Sequence, residues 1–373
     1  MAQLDPDRQR QAAEYARKRR RFGVINFIVS ITLFSLLVLT GISRTLADVL
    51  PAAPALAAAL YLALLMLVYD FMTLPLSWQT GLNLPRHYGL SRQTLSGWLA
   101  DHFKSLAMGI GFGATAIAVV YLLLERSPDL WWLSAWALLM AVSLALTVLA
   151  PVFLVPLFFK VHPLDAGELK DRLTAIATRA KVKIGGIYVI EFSEKTSLAN
   201  AGVMGLGRTK RIVLSDTLIE SYSPEEIEVV MAHELAHQHH GDVWRLYGFQ
   251  AAVFLVSFWL ASWLFATLAH MQDYVNLTDP AALPLLLLSL IIAGVPGLPL
   301  LSWWSRRLEA AADRYALELT GKPDVFISAM TKLTDQNLGE ARPSNFFDRI
   351  GQDHPNYIDR VKMAEKFTVE KTS

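Results

Sequence analysis

The chain has 373 residues, of which 53% are hydrophobic and only 18% charged, with a formal net charge of +1. That balance offers no global field for nucleic acid and departs from ordinary soluble composition towards a polytopic membrane protein. Cysteine is absent, which excludes disulfides, thiolate metal sites and a cysteine nucleophile, so any metal must be held by His, Asp or Glu.

A membrane span needs about 20 mostly apolar residues. Six stretches qualify: Phe22 to Leu39, Ala55 to Leu76, Phe103 to Leu124, Leu130 to Val155, Leu246 to Ala269 and Leu283 to Trp304. Pro284, Pro296 and Pro299 predict a kink or a late start in the last. Tryptophan and tyrosine are plentiful, as membrane interfaces favour. Arg17-Lys18-Arg19-Arg20-Arg21 precedes the first span, Arg86, Arg92 and Lys104 follow the second, and the region from Lys160 to Arg245 is rich in both types, whereas the opposite loops are poor in them. Lysine and arginine mark the cytoplasmic side, so both termini are expected there, in an inner or plasma membrane. The basic-then-apolar start also fits a cleaved signal peptide ahead of Leu46-Ala47-Asp48, but five further spans need an anchor in any case.

The fold class that follows is mainly α: a polytopic membrane protein of about six transmembrane helices with a cytoplasmic-side domain, in which a small β-sheet is expected from the strands between Ile184 and Leu214. Residues 1–160 are expected to form an N-terminal membrane region of about four spans, 161–245 a cytoplasmic part, 246–304 a transmembrane hairpin and 305–373 a C-terminal part.

The cytoplasmic insert opens with an amphipathic helix, Asp165 to Lys181, carrying Leu169, Leu173, Ile176 and Ala180 on one face. Strands are expected at Ile184 to Phe192, Asn200 to Leu206 and Arg211 to Leu214, the last two joined by a turn at Gly207 to Lys210. Ser223-Pro224-Glu225-Glu226 then combines a cap, a first-turn proline and a glutamate three residues on, a strong helix start. That helix runs through Ile227, Val230, Met231 and Leu235, and Gly241 ends or bends it.

On it lies Ala232-His233-Glu234-Leu235-Ala236-His237. Positions i and i+4 share a helix face, so two imidazoles can grip one zinc while Glu234 stands beside it as a general base for water. Chance alone yields H-E-x-x-H in about one chain of this length in a hundred, and a solvated polar face is the bland alternative. The apolar run Val229-Val230-Met231-Ala232 speaks for burial instead, and buried charges need partners.

A catalytic zinc site takes three protein ligands. Past the sixth span, Glu309 and Asp313 in Leu308-Glu309-Ala310-Ala311-Ala312-Asp313 are again i and i+4, on a helix expected to end at Gly321 with Pro323 behind it. Counted from the outer turn, the arms to His237 and to Glu309 are of similar length at about 1.5 Å per residue. Glu309 can therefore complete a His-His-Glu site, and Asp313 can fix the tautomer of a ligand histidine. The alternative is a solvated juxtamembrane helix with Arg306 and Arg314 as ion-pair partners. His240 lies on the ligand face, seven positions from His233, but three beyond His237, and reads as a solvated or supporting residue rather than a ligand.

Together, Asn200-Ala201-Gly202, Lys210 to Leu218, H-E-L-A-H, E-A-A-A-D and His354-Pro355 resemble the integral-membrane zinc metallopeptidases that include the type I CAAX prenyl proteases and the bacterial heat-shock membrane protease, over about Leu84 to Arg360. Leu84 to Thr94 is similar to a loop of the prenyl proteases in particular. The resemblance implies a zincin-like catalytic domain on the cytoplasmic side, with residues 305–373 as its C-terminal catalytic part. It implies one zinc at His233, His237 and Glu309, Glu234 as general base, and Asp313 supporting the ligands. It implies Asn200 and Ala201 on an edge strand that pairs with substrate backbone. It implies that His354 and Arg360 bond the developing oxyanion or position its neighbours. Two features depart from the pattern: the prenyl proteases have seven spans, and Asn356 stands where they usually have a second proline.

The expected activity is hydrolysis of peptide bonds in membrane-associated, lipidated or misfolded protein substrates, with the lipid bilayer as the other partner and no nucleic acid. The competing readings are an inactive membrane chaperone, and a transporter or scaffold with a structural zinc whose fourth ligand would come from His239, His240 or Asp242.

Overall fold

The computed structural model describes residues 3–342 and 354–372. Helix α1 (Pro6–Leu39) starts well before the expected span, because Asp5 caps it by accepting the N–H groups of Asp7 at 2.8 Å and Arg8 at 3.3 Å. The basic run is therefore helical and continuous with the apolar segment. Helices α2 (Pro54–Trp78), α3 (Leu95–Arg126) and α4 (Trp131–Phe153) follow. Residues 161–245 carry α5 (Glu168–Arg179) and α6 (Pro224–His240), then come α7 (Asp242–Met271), α8 (Leu283–Gly294), α9 (Gly297–Thr320), α10 (Pro323–Gln336) and α11 (Tyr357–Thr372). Among the described residues, five helices are long and apolar enough to cross a membrane, or six if α8 and α9, bent by 43°, count as one span. The bend falls at Pro296, within the proline-rich stretch where the sequence predicts a kink.

The spans share a buried core that includes Tyr61, Tyr121, Trp131, Phe265 and Leu286. No bilayer water can satisfy a polar group there, and the hydroxyls bond internally. Tyr61 donates to Ser43 Oγ at 2.8 Å, Ser43 to the Ala281 carbonyl at 2.5 Å and Tyr121 to the Asp279 carbonyl at 3.3 Å.

The described residues form a four-stranded sheet from β1 (Val161–Pro163), β2 (Ile187–Ile190), β3 (Ala201–Met204) and β4 (Arg211–Ser215), in the order β1-β2-β4-β3. The pair β2–β4 is parallel and the other two are antiparallel, with Ala201 opposite Leu214 and Met204 opposite Arg211. The anticipated strands are present: β2 and β3 are shorter than expected, and β4 runs one residue further, to Ser215. At three residues, β1 is too brief for a periodic signal. Leu173, Ile212, Leu214, Leu218, Ile227 and Met231 pack the sheet against α5 and α6. The edge strand β3 is left beside α6.

Two glycines bring the helices of the site together. Gly241 adopts φ +68° and lets the chain turn from α6 directly into α7. At Gly297, a Cβ would stand 2.7 Å from Val253 Cγ1, so glycine permits the close crossing of α9 over α7.

Candidate metal centre

Helix α6 is built as its sequence indicates. Ser223 Oγ accepts the Glu226 N–H at 3.3 Å, and Glu226 Oε2 accepts the Ser223 N–H at 2.9 Å. The helix is buried from Glu226 to His233, so its charged groups need specific partners.

His233 and His237 stand on one face with their rings 5.0 Å apart. Across from them, α9 supplies Glu309, with Oε2 at 3.1 Å from His233 Nε2 and Oε1 at 3.4 Å from His237 Nε2. Donor atoms of the three residues all lie within 4.8 Å of one another. Each imidazole is tied on its far side to a carboxylate: His233 Nδ1 bonds Asp313 Oδ1 at 2.8 Å, and His237 Nδ1 bonds Asp242 Oδ2 at 3.0 Å. With Nδ1 so engaged, Nε2 of each ring points inward, the atom that would hold a metal once its proton is released. Two imidazoles and a carboxylate in this arrangement fit zinc.

Burial opposes charge on both rings, but the acids prevail. Asp313 and Glu309 raise the His233 pKa to about 9, and Asp242 and Glu309 raise that of His237 to about 10. Burial also pushes up the pKa of the Glu234 carboxyl, with His233 and His237 acting in the opposite direction. An acid displaced towards neutrality is suited to take and return a proton.

Asp313 is fully buried. Arg360 offsets its charge, donating from Nε to Oδ2 at 2.8 Å and from Nη2 to Oδ1 at 2.5 Å. His354 Nδ1 lies 2.5 Å from Glu309 Oε2. Asn356, at the position where the prenyl proteases usually have proline, bonds Asp359 through both its amide atoms and so starts α11. One cleft of about 360 Å³ is lined by Asn200, Ala201, His233, Glu234, His354 and Arg360, among others.

The structure therefore gathers every site residue singled out in the sequence. Asp242, a candidate fourth ligand by sequence, instead bonds the outer nitrogen of His237. His239 is turned away, its ring stacked on Tyr315 at 4.7 Å and its Nδ1 at 3.1 Å from the Ala180 carbonyl. His240 Nδ1 lies 3.9 Å from Asp242.

The peptidase family M48 model matches residues 163–368, and the model for the CAAX prenyl protease N-terminal region, five membrane helices, matches residues 1–160. An uncharacterised metalloprotease of Bacillus subtilis (strain 168), YhfN, is 30% identical over 98% of this chain and 88% of its own length. CAAX prenyl protease 1 of Saccharomyces cerevisiae is 28% identical over 83% of this chain and 72% of its own. The crystal structure of S. mikatae Ste24p shares the fold, with a TM-score of 0.86 over 97% of this chain and 90% of that one at 23% identity. Among the described residues within 1–160, four helices are long and apolar enough to cross a membrane. It belongs to the M48/CAAX prenyl protease family of membrane zinc metalloproteases.

Proposed function

We propose that this protein cuts peptide bonds of membrane-associated, lipidated or misfolded proteins at a zinc held by His233, His237 and Glu309, on the cytoplasmic side of the membrane. The observation that carries the reading is the meeting of two imidazoles and a carboxylate, with Glu234 beside them, on a cleft bordered by the sheet edge.

A zinc ion in this donor set supplies Lewis-acid polarisation of a carbonyl and acidification of water. The chain's own residues do the rest. Glu234 accepts the proton of the attacking water and delivers it to the leaving amine nitrogen as the C–N bond breaks. Asp313 and Asp242 hold the two imidazoles in one tautomer, and Arg360 keeps Asp313 ionised and in place. His354, on the cleft wall, stabilises the negative charge that develops on the carbonyl oxygen. Ala201 lies where a substrate can add as a further strand, so that backbone pairing gives affinity with little side-chain preference. Asn200, expected to pair as well, turns its backbone groups to Ser215 on the β4 side and only lines the cleft.

The test is cleavage of an unfolded membrane protein and of prenylated C-terminal peptides by detergent-purified protein. Wild type should cleave, lose activity to a chelator and regain it with zinc. Glu234→Gln should retain one zinc per chain and lose at least about 100-fold in turnover. Full turnover in Glu234→Gln would remove the general-base role.

A further inference from the structure

The outer side of β3 is only partly open. Backbone pairing in an antiparallel ladder alternates along the strand. The Asn200 carbonyl accepts from Ser215 N–H at 2.9 Å, and the Asn200 N–H donates to Ser215 Oγ at 2.9 Å, so Asn200, Gly202 and Met204 direct their backbone groups to β4. Ala199, Ala201 and Val203 direct theirs away from it. The first of these is already occupied. Asn337 Nδ2 donates to the Ala199 carbonyl at 3.0 Å, while Asn337 Oδ1 accepts the Ala199 N–H at 3.0 Å. This two-way exchange is the one a residue of a neighbouring strand would make. One step earlier, Gln336 Nε2 donates to the Ser197 carbonyl at 2.9 Å. Both side chains come from the C-terminal end of α10, which α1 braces: Arg8 Nε donates to the Asp335 carbonyl at 3.2 Å and Gln9 Nε2 to Asp335 Oδ1 at 3.1 Å.

We propose that Asn337 is a positioning residue that closes the substrate-accepting edge at Ala199, so that a bound peptide pairs with Ala201 and Val203 and no further in that direction. The proposal rests on the peptidase reading above. Gly202 lies between the two open positions, and a Cβ there would stand 3.9 Å from Glu234 Oε2. The open positions thus flank the general base. Towards Ala199 the substrate must leave the edge after pairing with Ala201. In the other direction it can run past Val203 to a cavity lined by Thr147, Pro151, Val155 and Met204. The preferred substrate class is a chain extended on one side of the cut bond and, on the other, either close to its end or free to bend away.

The experiment uses Glu234→Gln protein, which reads binding apart from hydrolysis, and fluorescent alanine–valine peptides lengthened one residue at a time on each side of a fixed centre. On the Ala199 side, affinity should stop improving after the residue that pairs with Ala201. Adding Asn337→Ala should open Ala199 and move that limit outwards by two residues, with about fivefold tighter binding for each hydrogen bond gained. The same length limit in both proteins overturns the proposal. Should the double variant not fold, residue-resolved hydrogen exchange on Glu234→Gln protein decides. The Ala201 and Val203 amides should gain protection with the longest peptide, while the Ala199 amide is protected with and without it. A change at Ala199 overturns the proposal. Wild type that binds the peptides with the expected limit but cleaves none would sink the peptidase reading and leave this one standing.

Discussion

Asp242 stands five positions beyond His237, on the far side of the left-handed Gly241, and still bonds its Nδ1 at 3.0 Å. The sequence could not show this, because helix-face spacing does not continue through a residue at φ +68°. Asp313 was legible for the opposite reason: it shares an unbroken helix with Glu309 at i+4. Both acids do the same work for their histidines, so both should matter to metal affinity. Asp242→Ala leaves the three donor residues intact and removes the partner of His237, along with weaker contacts to Arg245 at 3.4 Å and His240 at 3.9 Å. Metal affinity should fall about 10- to 100-fold, as for other partners of ligand histidines, and competition with a chelator of known affinity measures it. An unchanged affinity would show that His237 needs no such support.

At the scale of elements, α6 is the piece most fully written in its own sequence, since its cap, first-turn proline and buried face are all local signals. What the sequence does not show is how α10 is fastened to it. Glu226, besides closing the capping box, accepts Ser328 Oγ at 2.7 Å and Lys332 Nζ at 2.7 Å. Burial alone would raise its pKa, but the bonds from Lys332, Ser328 and the Ser223 N–H outweigh it and hold the carboxyl below its ordinary 4.5. A depressed folded-state pKa contributes stability that is fully present above the unfolded value and is lost as pH falls through the folded value. Glu226→Gln cannot titrate, so it should be about 2 kcal/mol less stable than wild type at pH 7, with the gap closing in acid. Denaturant unfolding in detergent at both pH values measures this, and a gap independent of pH would place the effect elsewhere. The Ser223→Ala cap variant should cost about 1 kcal/mol, with little pH dependence because serine does not titrate. The Asn337 contact was equally hidden, since it joins residues 138 apart in sequence that share no local pattern.

Across the whole molecule, hydropathy located the spans because backbone groups in lipid must bond within their own helix, and it failed where the helix and the apolar run do not coincide. Helix α1 carries its basic residues out past the apolar stretch to reach α10 and the cleft wall, where Arg20 pairs with Glu340 at 2.9 Å. Hydropathy treats that basic segment as a flank. The orientation inferred from lysine and arginine places this cleft in the cytoplasm and the loop containing Asp273 and Val275 outside. The absence of cysteine makes the inference testable with single introduced thiols. Val275 is fully exposed between α7 and α8, and Lys366 is exposed on α11. In sealed cells, Val275→Cys should react with a membrane-impermeant maleimide, and Lys366→Cys should react only after permeabilisation. The reverse pattern would put the metal centre on the outer face and, with it, a different set of substrates. Labelling of both thiols in sealed cells would mean that the chain does not hold one orientation, and the lysine and arginine asymmetry would lose its meaning here.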